Sequence, residues 1–318
     1  MAGRCGGMVG AAGGPTAESG DSGQGAAVLL LVDGHAYAYR SFHAIRALSA
    51  PDGSPTNAIY GFIKTVEKLR ARLNPTHGVV AWDGGLASER LRLLPEYKAQ
   101  RPPMPPALAA QLSAIQGWLE AAGWASHCQD GVEADDWIAT LARHAVAEGA
   151  RVIIASSDKD FMQLVGPAIG LVNPNDKAEV TWGPAEVRAK AGVEPRQIVD
   201  WLSLVGDSVD NIPGVAGVGP KTAATLLERY GSCTDLLRRL GEVESDRLRG
   251  ALKAAGLVLE RNRRMIRLKD DLPGAGGLEG WAFRPPDVPR LRVLYRGWGF
   301  ATLLRALGEE GVEQRELF

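Results

Sequence analysis

Cysteine is scarce in this 318-residue chain: Cys5, Cys128 and Cys233 are widely separated, and no CxxC spacing occurs. That scarcity argues against a disulfide framework or a thiolate zinc site and fits a reducing, cytoplasmic setting. No apolar run is long enough to span a bilayer, so no membrane role is expected. A basic excess is also missing. Thirty-six Lys and Arg face 37 Asp and Glu, for a formal net charge of −1. Bulk charge therefore counts mildly against a nucleic-acid partner, although a site rich in carboxylates can mask a basic face elsewhere. Residues 1–26 lack a basic stretch followed by an apolar core, so a secretory signal is not expected; their Gly, Ala and Ser content reads as a flexible tail or an overextended start.

The remaining chain alternates strand and helix patterns. Continuous apolar runs at 28–32, 77–82 and 151–155 read as buried parallel strands, and amphipathic helices are expected at 35–48, 56–73, 107–122 and 133–148. This is an α/β pattern, a parallel twisted sheet flanked by helices. Beyond about residue 184 short helices dominate, at 185–191, 197–205, 220–230, 234–240, 245–268 and 291–307. A helical C-terminal region is expected there.

Each predicted strand runs into acids: Asp33, Asp83, and the pair Asp158 and Asp160. Glu133, Asp135 and Asp136 open a helix, where its dipole tolerates negative charge. Singly these are ordinary turn and cap residues. Ligands of open α/β sheets, however, sit beyond the carboxyl ends of strands, and all of these acids fall on that edge. Two carboxylates about 4 Å apart repel by roughly 4 kcal/mol at an effective dielectric near 20. A converging set therefore needs cations, and all-oxygen ligands suit Mg²⁺ or Mn²⁺. Two such ions can clamp the attacking and leaving oxygens of a phosphodiester.

The most specific stretch is Gly206–Ala223, which reads GDSVDNIPGVAGVGPKTA. Gly217 and Gly219 permit positive φ and close backbone approach. Pro220 suits a first helical position, and free N–H groups beside Lys221 and Thr222 would bind phosphate. This is a helix-hairpin-helix pattern that holds a DNA backbone without reading bases. Asp207 and Asp210 lie just upstream and would couple that grip to the acidic site.

Val32-Asp33-Gly34, Trp82-Asp83, Glu133-Ala134-Asp135-Asp136, Asp158-Lys159-Asp160 and the Gly206–Val215 stretch together resemble the 5′-nuclease (flap endonuclease) family. They are most similar to the 5′→3′ exonuclease domain of bacterial DNA polymerase I and its stand-alone relatives, over about residues 28–310. The resemblance implies a PIN-like fold, with a catalytic domain at 27–190, a helical arch at about 87–106 and a DNA-binding helical region at 191–318. It implies one metal site from Asp33, Asp83, Glu133, Asp135 and Asp136, and a second from Asp158, Asp160, Asp207 and Asp210. Lys98 and Arg101 would contact the scissile phosphate, Tyr97 would stack on a base, and Arg90 would touch DNA. K⁺ would bind carbonyls at Val215 and Val218. Trp82 departs from the Phe usual in bacterial relatives. The implied activity is two-metal hydrolysis of 5′ flaps, nicks and 5′ ends, RNA-primed ones included, by a monomer serving replication and repair. Two rivals are a junction-binding protein without catalysis and an RNA-directed PIN-type nuclease. The full acid set opposes the first, and the glycine hairpin opposes the second.

Overall fold

Val28–Asp33 (β1) is the middle strand of a five-stranded parallel sheet in the computed structural model, which describes residues 27–176 and 180–308. Its side chains alternate between two cores. Leu29 and Leu31 enter one, Leu30 and Val32 the other, and all four are fully buried. A strand covered on both faces needs apolar residues at every position, which is why β1 reads as an unbroken run. The other strands are His77–Trp82 (β2), Ala125–Cys128 (β3), Arg151–Ala155 (β4) and Ile169–Val172 (β5), in the order β3-β2-β1-β4-β5. β3 and β5, which the apolar pattern did not reveal, are four-residue edge strands: β3 reads ASHC and β5 carries Gly170.

Helices Gly34–Ala44 (α1), Asn57–Leu73 (α2), Ser88–Leu93 (α3), Pro106–Ala121 (α4) and Ala134–Ala147 (α5) complete the N-terminal half. Side chains of α1, α2 and α4 pack on one sheet face and those of α5 on the other. The helical arch expected at about 87–106 is reduced to α3 and turns at 95–100. Pro95, Pro102, Pro103 and Pro105 interrupt any longer helix there.

The second half contains Pro184–Ala191 (α6), Ile198–Val205 (α7), Pro220–Tyr230 (α8), Cys233–Arg238 (α9), Asp246–Ala254 (α10), Gly256–Ile266 (α11), Leu278–Trp281 (α12), Val288–Gly297 (α13) and Ala301–Ala306 (α14). The single helices expected at 245–268 and 291–307 are each two; the second pair is separated at Gly299, whose φ is +74°. Residues of α7, α8 and α11 extend the core under α5. Leu291, Tyr295 and Phe300 instead join the opposite core, where the Trp118 indole donates to the Tyr295 hydroxyl at 2.9 Å. The C-terminal part of the chain thus reaches both faces of the sheet. Among the described residues no helix is long and apolar enough to cross a membrane. The sequence-predicted tail at 1–26 lies outside the described residues.

Candidate active site

Strand order reverses at β1, with β2 on one side and β4 on the other, so the carboxyl ends of β1 and β4 frame the crevice where α/β sheets bind ligands. Asp33 ends β1 and caps α1, accepting the Ala36 N–H at 3.0 Å. Asp158 follows β4 and accepts the Asp160 N–H at 2.9 Å. Asp83 follows β2 and accepts the Ala134 N–H at 2.8 Å, which ties it to the start of α5, where Asp135 sits.

These acids feel one another. Burial, with repulsion from Asp83 and Asp158, pushes the Asp33 carboxyl up to about 7. Burial raises Asp135 well above the usual carboxylate range, aided by Asp158, Asp33 and Asp83. Burial is the largest cause raising Asp158 and Asp160; Asp158 then raises Asp160, and Asp210 and Asp207 raise both. Two acidic groups therefore meet at Asp158. One contains Asp33, Asp83 and Asp135; the other contains Asp160, Asp207 and Asp210. Repelling carboxylates with no paired His or Cys form a hard-oxygen donor set suited to divalent cations. As placed, no three His, Cys, Asp or Glu side chains among the described residues stand close enough to share an ion.

Basic side chains occupy part of the set. Lys98 Nζ lies 3.0 Å from Glu133 and 3.9 Å from Asp210, Arg101 lies 2.5 Å from Asp210, and Lys159 lies 3.2 Å from Asp207. Burial opposes the Lys98 charge, but Glu133, Asp135 and Asp210 outweigh it and raise its proton affinity. Lys98 has φ of +55°, a conformation costly for a non-glycine residue, and its N–H donates to the Asp210 carbonyl at 3.1 Å. The Gln100 side chain donates to the Ser208 carbonyl, and Asn211 donates to the Glu96 carbonyl at 2.9 Å. The 96–101 turns are thereby stitched to the 207–211 loop. Gly206 and Gly214 close that loop: a Cβ on Gly206 would lie 2.4 Å from the Gly214 nitrogen.

Four expectations need correction. Arg90 is buried rather than presented to DNA: its guanidinium donates to Glu133, twice to Asp136 and to the Met265 carbonyl. Asp136, expected among the metal ligands, accepts from Arg90 at both oxygens and from the Lys269 N–H, and so is paired as a counter-ion in this structure. Glu133 is likewise committed, to Arg90 and Lys98. Tyr97 is 4% exposed, and its hydroxyl lies 3.3 Å from Glu133 and 3.4 Å from Asp210, so its ring is not open to a base.

In the hairpin, Gly217 has φ of +79°, as its sequence suggested, and a Cβ there would meet nothing. Gly219 differs: it is extended, with φ of −97°, and precedes Pro220 at the start of α8. Its missing side chain leaves open space rather than relieving strain. Lys221 is exposed and Thr222 half-buried beside it. The Val215 carbonyl accepts the Val218 N–H at 3.0 Å, closing the turn, and both valine side chains are buried.

Three site residues escaped the sequence reading. Lys159, between two acids, reads as a loop lysine. His35 Nδ1 accepts the Asp83 N–H at 3.1 Å, so that nitrogen carries no proton and its 3.5 Å approach to the Asp83 carboxylate is not an ion pair. The third is Ser156, whose hydroxyl donates to Asp33 at 2.9 Å and accepts the Asp158 N–H at 3.1 Å. Nothing but its place one residue beyond a predicted strand marked it.

A parallel sheet with carboxylates at its switch point, faced by cations and joined to a helical hairpin region, is the architecture of a phosphodiester-cleaving nuclease. Residues 28–192 match the 5′-3′ exonuclease N-terminal resolvase-like domain, and residues 193–289 match the 5′-3′ exonuclease C-terminal SAM fold. The chain belongs to the 5′-3′ exonuclease family. It is 36% identical to a 5′-3′ exonuclease of Aquifex aeolicus, over 91% of this chain and 99% of that protein. It is 41% identical to DNA polymerase I of Pseudomonas aeruginosa over 91% of its own length, spanning 32% of the polymerase. Its fold is similar to that of T5 5′-exonuclease bound to zinc, with TM-score 0.65 and 23% identity over 80% of this chain and 95% of that one. The catalytic core of Rad2 with a DNA substrate gives TM-score 0.60 and 16% identity, over 89% and 93% of the two chains.

Proposed function

We propose that this nuclease cuts DNA where duplex meets an unpaired 5′ strand, at 5′ flaps, nicks and 5′ ends, including RNA-primed ends. The observation that carries this reading is the meeting of two acidic groups at Asp158, with Lys98, Arg101 and Lys159 paired to acids of the same set. Asp33, Asp83, Asp135 and Asp158 would hold one divalent ion, and Asp158, Asp160, Asp207 and Asp210 a second, Mg²⁺ or Mn²⁺ in either place. Bound ions supply charge neutralisation and activation of water for in-line attack at phosphorus.

This chain's own groups do the rest. Exposed N–H groups at the start of α8, with Lys221, hold a duplex phosphate without reading sequence. Lys98 and Arg101 leave their carboxylate partners to face the scissile phosphate, where fixed cations favour the developing negative charge. Glu133, Asp136 and Arg90 keep the turns registered on α5. In this reading residues 27–190 carry the chemistry, and the region from 191 onward carries the grip.

The test is single-turnover cleavage of a labelled 5′ flap, a 3′ flap and plain single strand of one sequence, with Mg²⁺ and with Mn²⁺. Cleavage within a nucleotide or so of the 5′-flap junction is expected. Equal cutting of the 3′ flap overturns the proposal.

A further inference from the structure

Ser156 closes the end of β4 and has no solvent exposure. Its N–H donates to the Val172 carbonyl at 3.2 Å, which fixes its backbone against β5. Its hydroxyl then faces the gap between β4 and β1, where it uses its single proton on Asp33 Oδ2 and a lone pair on the Asp158 N–H. The other Asp33 oxygen is occupied by the Ala36 N–H, and Asp158 Oδ1 by the Asp160 N–H. One hydroxyl thus joins acids of two different strand ends, each already steered by a local backbone bond.

We propose that Ser156 is a positioning residue that sets the Asp33–Asp158 spacing and, through it, the affinity of the site for divalent ions. This rests on the reading above, in which those acids hold the ions. Asp33 and Asp158 repel each other, and the Ser156 hydroxyl is a neutral link between them. Without it, Asp33 Oδ2 loses its donor and is free to turn from its neighbour, and the Asp158 N–H loses its acceptor. Groups that orient metal ligands from behind typically change metal affinity by about 10–100-fold. Ser157 is exposed, whereas Ser156 is sealed at the strand end.

The experiment measures Mn²⁺ binding by electron paramagnetic resonance, without DNA, for the full chain, Ser156→Ala and Ser156→Thr. Thermal unfolding and flap-DNA affinity in EDTA accompany it. Ser156→Ala is expected to bind Mn²⁺ about ten-fold or more weakly while holding flap DNA in EDTA as the parent does. Ser156→Thr, which keeps the hydroxyl, is expected to restore most of the Mn²⁺ affinity. Should either variant not fold, Ser156→Cys keeps the size with a weaker donor, and its Mn²⁺ affinity decides. Unchanged Mn²⁺ affinity in a folded Ser156→Ala protein overturns the inference. So does loss of stability and flap binding together with metal binding, which marks a merely structural residue. Failure of the parent chain to bind Mn²⁺ at all has a separate meaning: it overturns the metal reading itself.

Discussion

Arg90 and Asp136 meet through two parallel hydrogen bonds, Nη1 to Oδ2 at 2.9 Å and Nη2 to Oδ1 at 2.7 Å, with both side chains sealed from solvent. Removing one member of such a pair leaves a buried charge uncompensated, a loss of about 3–5 kcal/mol. Arg90→Ala is expected to fall in stability by that order, read by urea denaturation. Arg90→Lys, a point charge without the fork, is expected to recover only part. If instead Arg90 contacted DNA, the variant would keep its midpoint and lose salt-dependent binding.

Chelation separates chemistry from folding. Because cationic side chains already pair with several site acids, EDTA is expected to abolish cleavage and leave the protein folded. Adding Mg²⁺ at 100 times its dissociation constant is expected to raise stability by about 2.7 kcal/mol per site, seen as a higher melting temperature. Unfolding on chelation would mean the ions are structural.

Asp160→Asn is expected to reduce the single-turnover rate by about 10²-fold or more, in the range seen when one charge-stabilising group is lost, while flap binding in EDTA persists. Lys98→Ala and Arg101→Ala are expected to behave alike, with the rate falling much more than affinity. A Lys98→Ala protein with its full single-turnover rate would remove this side chain from the chemistry.

The two hairpin glycines are expected to part company. Gly217→Val places a β-branched residue at φ of +79° and is expected to cost stability and DNA affinity together. Gly219→Val meets open space at an ordinary φ, so it is expected to keep its melting temperature and lose duplex affinity by blocking backbone approach. Its binding should also depend less steeply on salt, as phosphate contacts are lost. Equal melting temperatures for the two variants would contradict the assigned conformations.

The central strands were legible because burial on both faces demands unbroken apolar runs, as at Leu29–Val32. The edge strands were not, since Ala125–Cys128 is covered on one side and carries Ser126 and His127. Acids at strand ends could be located from sequence, because the sheet's direction fixes where those ends lie. What they bond to could not. Whether Asp136 faces an ion or Arg90 depends on how α3 lies against α5, a tertiary fact with no local pattern. Gly219 shows the same limit: GVG is compatible with two positive φ values, and the N-cap role beside Pro220 selected the extended one.

The return of α13 and α14 to the sheet's far face has a consequence for how the chain matures. The Asp287 N–H donates to the Ala121 carbonyl, the Arg284 N–H to Gly123, and the Tyr295 hydroxyl receives the Trp118 indole N–H, so residues 284–306 finish a layer begun in the first half of the chain. Such contacts between distant parts of the sequence close late, after the loop entropy between them has been overcome. During synthesis the α2–α4 face would remain incomplete until α13 and α14 have left the ribosome. The apolar surface around Trp118 would stay open until then, and the stretch of time in which the nascent protein is vulnerable to aggregation is set by when α13 and α14 arrive.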